Sequence, residues 1–310
     1  MESNNYDRAN DLNVQQLCSF CTVFEQRSYS AAARVLGIAV PTIWEQVQAV
    51  ERCYGANLFS REGRQIAPTQ TAHSLYEALG PVMAGLHSTF DVVNEEEHEG
   101  SARLTIVTGM RMLLEELGDC LQTFRNQHPT ISLRLVHGDN KTAERLILAE
   151  EADLGMTLEP GPNSARTEFT YDEAYTIEYL AVVPTNHPLA KRRSLKLKDL
   201  VAYPLVVGHE QTAGRRVLDE ALHREGLLQQ ANVAVETDNS AFTATCVRAG
   251  MGVGILAGKS DGLLTRDLVG LSLKKQLGNA RIVFLWRSGR HLTRATRSLI
   301  QLIKEQRAGH

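Results

Sequence analysis

The spacing of apolar and polar residues changes character twice along the chain. From about Asn13 to Gln26, Leu17, Phe20 and Val23 fall at helical intervals and predict a first helix. Ser28 stands where a helix N-cap belongs, ahead of the Ala-rich run in SYSAAARVLG. Gly37 supplies a turn, and Pro41 can open another helix. In that helix Ile43, Val47, Val50 and Tyr54 form the inward stripe. LFSREGRQIAPT then alternates around Gly63, the pattern of a two-stranded hairpin. From Thr69 to about Asn94 the repeat lengthens. Leu75, Leu79, Val82, Leu86 and Val93 recur at threes and fours and predict one long helix, with Gly80-Pro81 as the place where it can kink. EEEHEG follows as an acidic, solvated hinge.

Beyond Gly100 strand and helix patterns alternate, which predicts an α/β fold with a mainly parallel sheet. RLTIVTG, ISLRLVHG, ADLGMTL, YTIEYLAVVP, LVAYPLVVG, ANVAVET, GVGILA and RIVFLWR read as strands. Leu113 to His128, Ala143 to Glu151, Arg215 to Glu225, Ala241 to Ala249 and Leu292 to Glu305 read as helices. Sheets of this kind bind ligands at the carboxyl ends of their parallel strands. The chain places Thr108, Gly109, Met110 and Arg111 there, then Gly138 and Asn140, Gly208 and His209, and Asn239. Small polar residues at helix starts suit an anion, and Arg111 is the cation among them. Each is also an ordinary strand-to-helix turn when taken singly; their convergence argues for a small-molecule effector site. Arg111 has a competing use, an ion pair with Glu115 four residues on.

In the second half of the helix-turn-helix, the inward stripe leaves Thr42, Trp44, Glu45, Gln46 and Gln48 on or near the free side. A helix offered N-terminus first is how such motifs read base edges in the major groove. The candidate DNA-contacting residues are therefore Ser28, Val40, Pro41, Thr42, Trp44, Glu45 and Gln46, with Arg61 and Arg64 flanking the hairpin tip. The pattern alone serves equally well for a small helical subdomain that binds nothing.

The Leu17/Phe20/Val23 stripe, SYSAAARVLG, Pro41, Val50-Glu51, Gly55, Leu58 to Arg61 and Pro68-Thr69 together resemble the winged helix of LysR-type transcriptional regulators. NQHPTISLRLV, EADLGMTL, NHPLAKRRSLKLKDLVAYPLVV and VRAGMGVGIL are similar to parts of that family's effector domain. The resemblance implies an α+β multi-domain chain. A flexible tail (1–11) precedes a winged helix-turn-helix DNA-binding domain (12–70), and a long linker and dimerisation helix with its hinge (71–100) follows. A two-lobed α/β, periplasmic-binding-protein-like effector domain (101–310) ends the chain, with lobe I at 101–174 and 276–310 and lobe II at 175–275. It implies a homodimer or homotetramer joined through Leu75, Leu79, Val82 and Leu86, operator DNA and a small-molecule effector as partners, and RNA polymerase as a further one. Where members of the family usually carry Ser, Gln and Ser on the recognition helix, this chain has Ala39, Val40 and Trp44. Apolar surface can meet a thymine methyl but cannot form bidentate amide contacts. The reading from another class is a scaffold-retaining ligand-binding or interaction protein with lost or altered DNA readout.

Composition narrows this further. Of 310 residues 43% are hydrophobic and 22% charged, as in globular proteins, and two or three domains fit that length. No apolar run reaches the roughly 18 residues needed to span a bilayer, and MESNNYDRANDLN is no signal peptide, so a cytoplasmic protein without membrane partners is expected. A net charge of −3 argues against indiscriminate nucleic-acid binding. From Leu12 to Gln70 five Arg oppose four Glu, a balance of +1, so DNA affinity has to rest on helix N-termini, backbone amides and dimerisation as well as on long-range attraction. The five cysteines include Cys18 and Cys21, which fall inside a helical pattern and lack a zinc partner pair; they read as small buried hydrophobes. GMGVG at 250–254 follows a helix and enters a strand, the reverse of a dinucleotide loop, and reads as a helix C-cap. With no nucleophile elbow and no metal-spaced histidines, neither catalysis, a cofactor nor a metal is expected.

Overall fold

The computed structural model describes residues 11–62, 65–97, 103–161 and 165–308, leaving out the side chains of 61, 62, 65, 94–97 and 308. Most of the expected tail, the hairpin tip with Arg64, the side chain of Arg61 and the end of the acidic hinge lie outside the described residues. The chain forms two compact units, one running through Asp91 and the other from Val92, with Ser288–His291 grouped with the first.

In the first unit α1 (Val14–Gln26) is closed by a capping box in which Asn13 and Gln16 exchange side-chain bonds to each other's backbone N–H, both 2.9 Å. Ser28 caps α2 (Tyr29–Leu36), and Gly37 ends it with φ 66°, a left-handed turn that glycine adopts without strain. The second helix of the motif, α3, spans Val40–Tyr54. Val23, Ala32, Ala33, Ile43 and Val47 form one apolar cluster where the three helices meet. The hairpin β1 (Phe59–Glu62) and β2 (Gln65–Pro68) pairs antiparallel, Phe59 opposite Pro68. The long helix α4 (Gln70–Glu97) runs as one element through Pro81.

One expectation needs correction here. Leu79 is buried with Phe20, Val50, Leu58 and Ala72, and Leu75 packs against the same cluster, so both serve the core of their own unit. Apolar spacing at threes and fours shows that a helix face is covered, not what covers it. Among the described residues, the large apolar side chains that α4 leaves exposed are Val82, Phe90 and Val93, beside a half-buried Leu86.

The second unit is an α/β sheet with helices on both faces. In sequence it comprises β3 (Arg103–Thr108), α5 (Met110–Glu115), α6 (Gly118–Gln127), β4 (Ser132–His137), α7 (Asn140–Leu148), β5 (Leu154–Leu158) and β6 (Phe169–Pro184). There follow α8 (Leu197–Leu200), β7 (Leu205–Gly208), α9 (Ala213–Arg224), β8 (Val233–Thr237), α10 (Ser240–Arg248), β9 (Val253–Gly258), β10 (Leu268–Ser272), α11 (Lys274–Leu277), β11 (Asn279–Arg287) and α12 (Arg294–Ala308). Nine strands among the described residues join in the order β4-β3-β5-β11-β6-β9-β7-β8, with β10 on β6. The pairs β3/β4, β3/β5, β7/β8 and β7/β9 are parallel; those made by β6 and β11 are antiparallel.

β6 is longer than the predicted YTIEYLAVVP. It starts at Phe169, and it spans the sheet: residues 169–178 pair with β11, Glu178–Val182 with β9, and Leu180–Pro184 with β10. The predicted helix Leu113 to His128 is two helices, broken at Glu116-Leu117. β10 carries no clear alternation and was not expected. Among the described residues no helix is long and apolar enough to cross a membrane.

Glu51 joins the hairpin to α3. Its Oε1 accepts the Leu58 and Phe59 N–H groups at 2.7 and 3.2 Å, and its Oε2 accepts from Gln48 Nε2. Leu58 is fully buried, so its amide has no water to turn to. Glu51→Ala is expected to destabilise the first unit by about 1–3 kcal/mol. Hydrogen exchange at the Leu58 and Phe59 amides checks this, and protection equal to wild type would show that the anchor is dispensable.

Candidate functional site

Two regions gather the predicted functional side chains. The first is the start of α3. No side chain caps this helix at Ala39, and Pro41 has no N–H, so the N–H groups of Val40 and Thr42 are left for an outside acceptor. Val40 and Trp44 are 41% and 52% exposed, and Glu45 and Pro41 are exposed beside them. Two of the candidates have other work. Gln46 Oε1 accepts from Ser19 Oγ inside the unit, and Ser28 Oγ accepts the Ala31 N–H at 3.2 Å as a helix cap. Cys18 and Cys21 are half-buried rather than fully buried, and burial pushes the Cys18 thiol up, away from a reactive thiolate.

The second region is a cavity of about 190 Å³ in the α/β unit, where the carboxyl ends of β3, β4, β7 and β8 meet the starts of α5, α7, α9 and α10. Gly109, Met110, Arg111, Gly138, Asn140, Gly208 and Asn239 of the predicted set line it. Two glycines permit the turn into a helix: a Cβ at Gly138 would lie 2.7 Å from Thr142 Cγ2, and one at Gly208 2.4 Å from Thr212 Oγ1. Each is thus the residue that lets a threonine four positions on approach the strand end. Asp139, Thr212 and Asn239 cap α7, α9 and α10 with their side chains, whereas Gly109 leaves α5 uncapped. Burial pushes the Asp139 carboxyl up, but hydrogen bonds from Thr142 outweigh it and hold the group below its ordinary value.

Thr108 and His209 do not line the cavity. Thr108 is fully buried and its Oγ1 donates to the Met156 carbonyl at 2.9 Å, while His209 Nδ1 accepts the Gln211 N–H at 3.3 Å. Asn140 lines the cavity with its Nδ2 committed to the Leu158 carbonyl at 2.7 Å.

Charge in the cavity is arranged differently from the prediction. Arg111 is only 6% exposed and pairs with Glu116, not with Glu115; Glu116 is itself buried and also accepts from Tyr175 Oη. Burial pushes the Glu116 carboxyl up, and the guanidinium charges of Arg111 and Arg307 oppose that rise. Arg215 is likewise neutralised, by Asp219 at 2.8 Å and Glu236 at 2.7 Å. The cations left over are ones the sequence reading passed by. Lys141 and Arg216 line the cavity, are exposed, and have no ion pair among the described residues. Lys141, from α7, donates to Gln211 Oε1 at 2.8 Å, ahead of α9. Tyr179, buried on β6 with its phenol pushed up by desolvation, lies within the influence of both Arg111 and Arg216. Met110, Leu158, Ile255 and Leu256 supply apolar lining.

A winged helix-turn-helix joined to a two-lobed α/β unit with a cleft at its strand ends describes a ligand-responsive DNA-binding regulator. Residues 14–73 match the family described as bacterial regulatory helix-turn-helix protein, lysR family, and residues 97–308 match the LysR substrate binding domain. The chain belongs to the LysR-type transcriptional regulators, a family that is not enzymatic. It is 24% identical over 227 residues to the HTH-type transcriptional regulator CysB of Burkholderia cenocepacia, covering 73% of this chain and 71% of that protein. To the transcriptional activator protein LysR of Escherichia coli it is 25% identical over 245 residues, 79% of this chain and 77% of that one. In fold it is similar to HinK, a LysR family transcriptional regulator from Pseudomonas aeruginosa, with TM-score 0.59, 20% identity, and 95% and 98% of the two chains covered.

The Arg111–Glu116 pair gives a direct test of which role Arg111 has. Arg111→Ala leaves a buried carboxylate without its partner and is expected to cost about 3–5 kcal/mol of stability in urea unfolding of the effector-domain transition. Arg216→Ala, at an exposed position, is expected to cost under about 0.5 kcal/mol. Equal, small effects of the two would show that Arg111 is not structural.

Proposed function

We propose that this LysR-type regulator senses a small anionic effector, held between the lobes by Lys141 on one side and Arg216 on the other. The observation that carries this reading is the pair of exposed, unpaired cations on α7 and α9, facing one cavity onto which four helices open N-terminus first. Helix N-termini and free cations both favour negative charge. The apolar lining and the Tyr179 phenol suit an organic body behind the acidic group. Arg111 has a supporting part in this reading: it fixes the start of α5, with Glu116 as its permanent counter-ion. Lys141 already reaches Gln211 across the opening, so an anion seated between Lys141 and Arg216 adds to a contact that draws the lobes together.

On the DNA side, Val40 and Trp44 offer apolar surface where base edges are read, and the open amides of α3 offer donors to a phosphate. Val82, Leu86, Phe90 and Val93 form the face of α4 that joins two copies, so the operator has paired half-sites, with RNA polymerase as the further partner and the cytoplasm as the place of action.

Two results follow. Calorimetry with a panel of small organic and inorganic anions is expected to find a ligand whose affinity drops at least tenfold in Lys141→Ala and in Arg216→Ala; an effector that is neutral or cationic, or binding that ignores both substitutions, rules the reading out. Selection from random DNA is expected to yield T in preference to C at the positions Trp44 protects, and Trp44→Ser to relax that preference. Selected sites with no such bias would leave Trp44 outside the base-reading surface.

A further inference from the structure

A second hollow, of about 530 Å³, lies in the same unit away from the cleft and is lined by Lys196 and Lys198 at α8, Arg224 and Glu225 at the end of α9, and Lys275 and Gln276 at α11. Four cations face one anion there, a local charge of +3 in a chain whose net charge is −3. All four cations are exposed, and none has an ion pair among the described residues. Lys191, Arg192 and Arg193, all exposed, precede Lys196 in the sequence, and Lys274, next to Lys275, is paired with Glu178 at 3.8 Å.

Helix-end electrostatics do not account for the whole group. Arg224 sits in the last turn of α9, where a cation is favoured. Lys198 and Lys275 also fall in last turns, but of α8 and α11, which are four residues long and have little dipole to offset, and Lys196 is the N-cap of α8, where a cation is disfavoured. Gathering like charges from three separate elements around one concavity costs repulsion that the fold itself does not recover. A buried apolar floor of Leu197 and Ala221 fixes the shape of the hollow.

We infer that this hollow is a second ligand site, built for a compact polyphosphate such as a di- or triphosphate group. Lysines act on phosphate as point charges and need no planar partner, which fits three lysines with one arginine better than it fits a single carboxylate. The concave arrangement fits a compact, multiply charged group rather than the extended line of phosphates on a nucleic-acid strand. The site shares no lining residue with the cleft, so it is independent of the anion reading given above.

The test uses the full-length protein and inorganic triphosphate in calorimetry. Binding is expected at one site per chain, weakening as salt is raised, and falling at least tenfold in Lys198→Glu/Lys275→Glu. Lys141→Ala/Arg216→Ala, in the cleft, is expected to leave it unchanged. Because the double substitution relieves repulsion, its Tm is expected to equal or exceed wild type. If it fails to fold, Lys198→Gln/Lys275→Gln takes its place, with the same loss of affinity expected. No triphosphate binding at 1 mM, binding indifferent to the hollow's charge, or binding lost in the cleft variant would each overturn the inference. So would a loss confined to unrelated duplex DNA or polyglutamate, which would make the hollow a docking surface for a macromolecule.

Discussion

The effector-domain structure depends on one strand being continuous. β6 runs for 16 residues and is hydrogen-bonded to β11 over its first part and to β9 and β10 over its last, so the two lobes share a single backbone ladder. Parallel strands on either side of it, β3 with β4 and β7 with β8, then deliver their carboxyl ends and the following helix starts to the same cavity. The pairing with β11 slips between Ile282 and Val283, opposite Tyr175 and Glu173, and a bulge of this kind bends a strand locally. Tyr175 bonds Glu116 and Tyr179 lines the cavity, so the crossing strand also carries side chains into the site it creates.

Within that frame the charges divide into those the fold needs and those it leaves free. A buried Arg111–Glu116 pair with Tyr175 is costly to break because each partner has been taken out of water. Arg307 adds a bond to the Glu116 carbonyl, tying α12 to the break between α5 and α6. On the other lobe, Arg215 spends its guanidinium on Asp219 and Glu236. Among the described residues, the cations that face the cavity without an ion pair are Lys141 and Arg216, one on α7 and the other on α9.

Local signals in the sequence carried most of the architecture. Ser28, Gly37 and the Ile43/Val47/Val50 stripe were enough for the reading head, because caps and helical periodicity are properties of short segments. Strand ends and helix starts around the cleft were readable for the same reason. Contacts set by distant chain were not. Leu79 has the spacing of an intersubunit seam but faces Phe20 and Leu58, and periodicity does not distinguish the two. Arg111 reads as an anion contact, with an ion pair to Glu115 as its competing use, yet α5 ends at Glu115 and the turn that follows brings Glu116 to the guanidinium. The first half of β6, FTYDEA, is half-polar, and what makes it a strand is backbone pairing with β11, more than a hundred residues later, which no local pattern marks. Lys141 and Arg216 were missed since their use depends on which side of a helix start faces the opposite lobe.

A crystal structure of the effector domain with its bound effector would test the account most directly. The account has the effector's acidic group between Lys141 and Arg216, with the Arg111–Glu116 pair intact beneath it. An effector that takes Arg111 away from Glu116, or that lies in the cavity without touching Lys141 or Arg216, would contradict it.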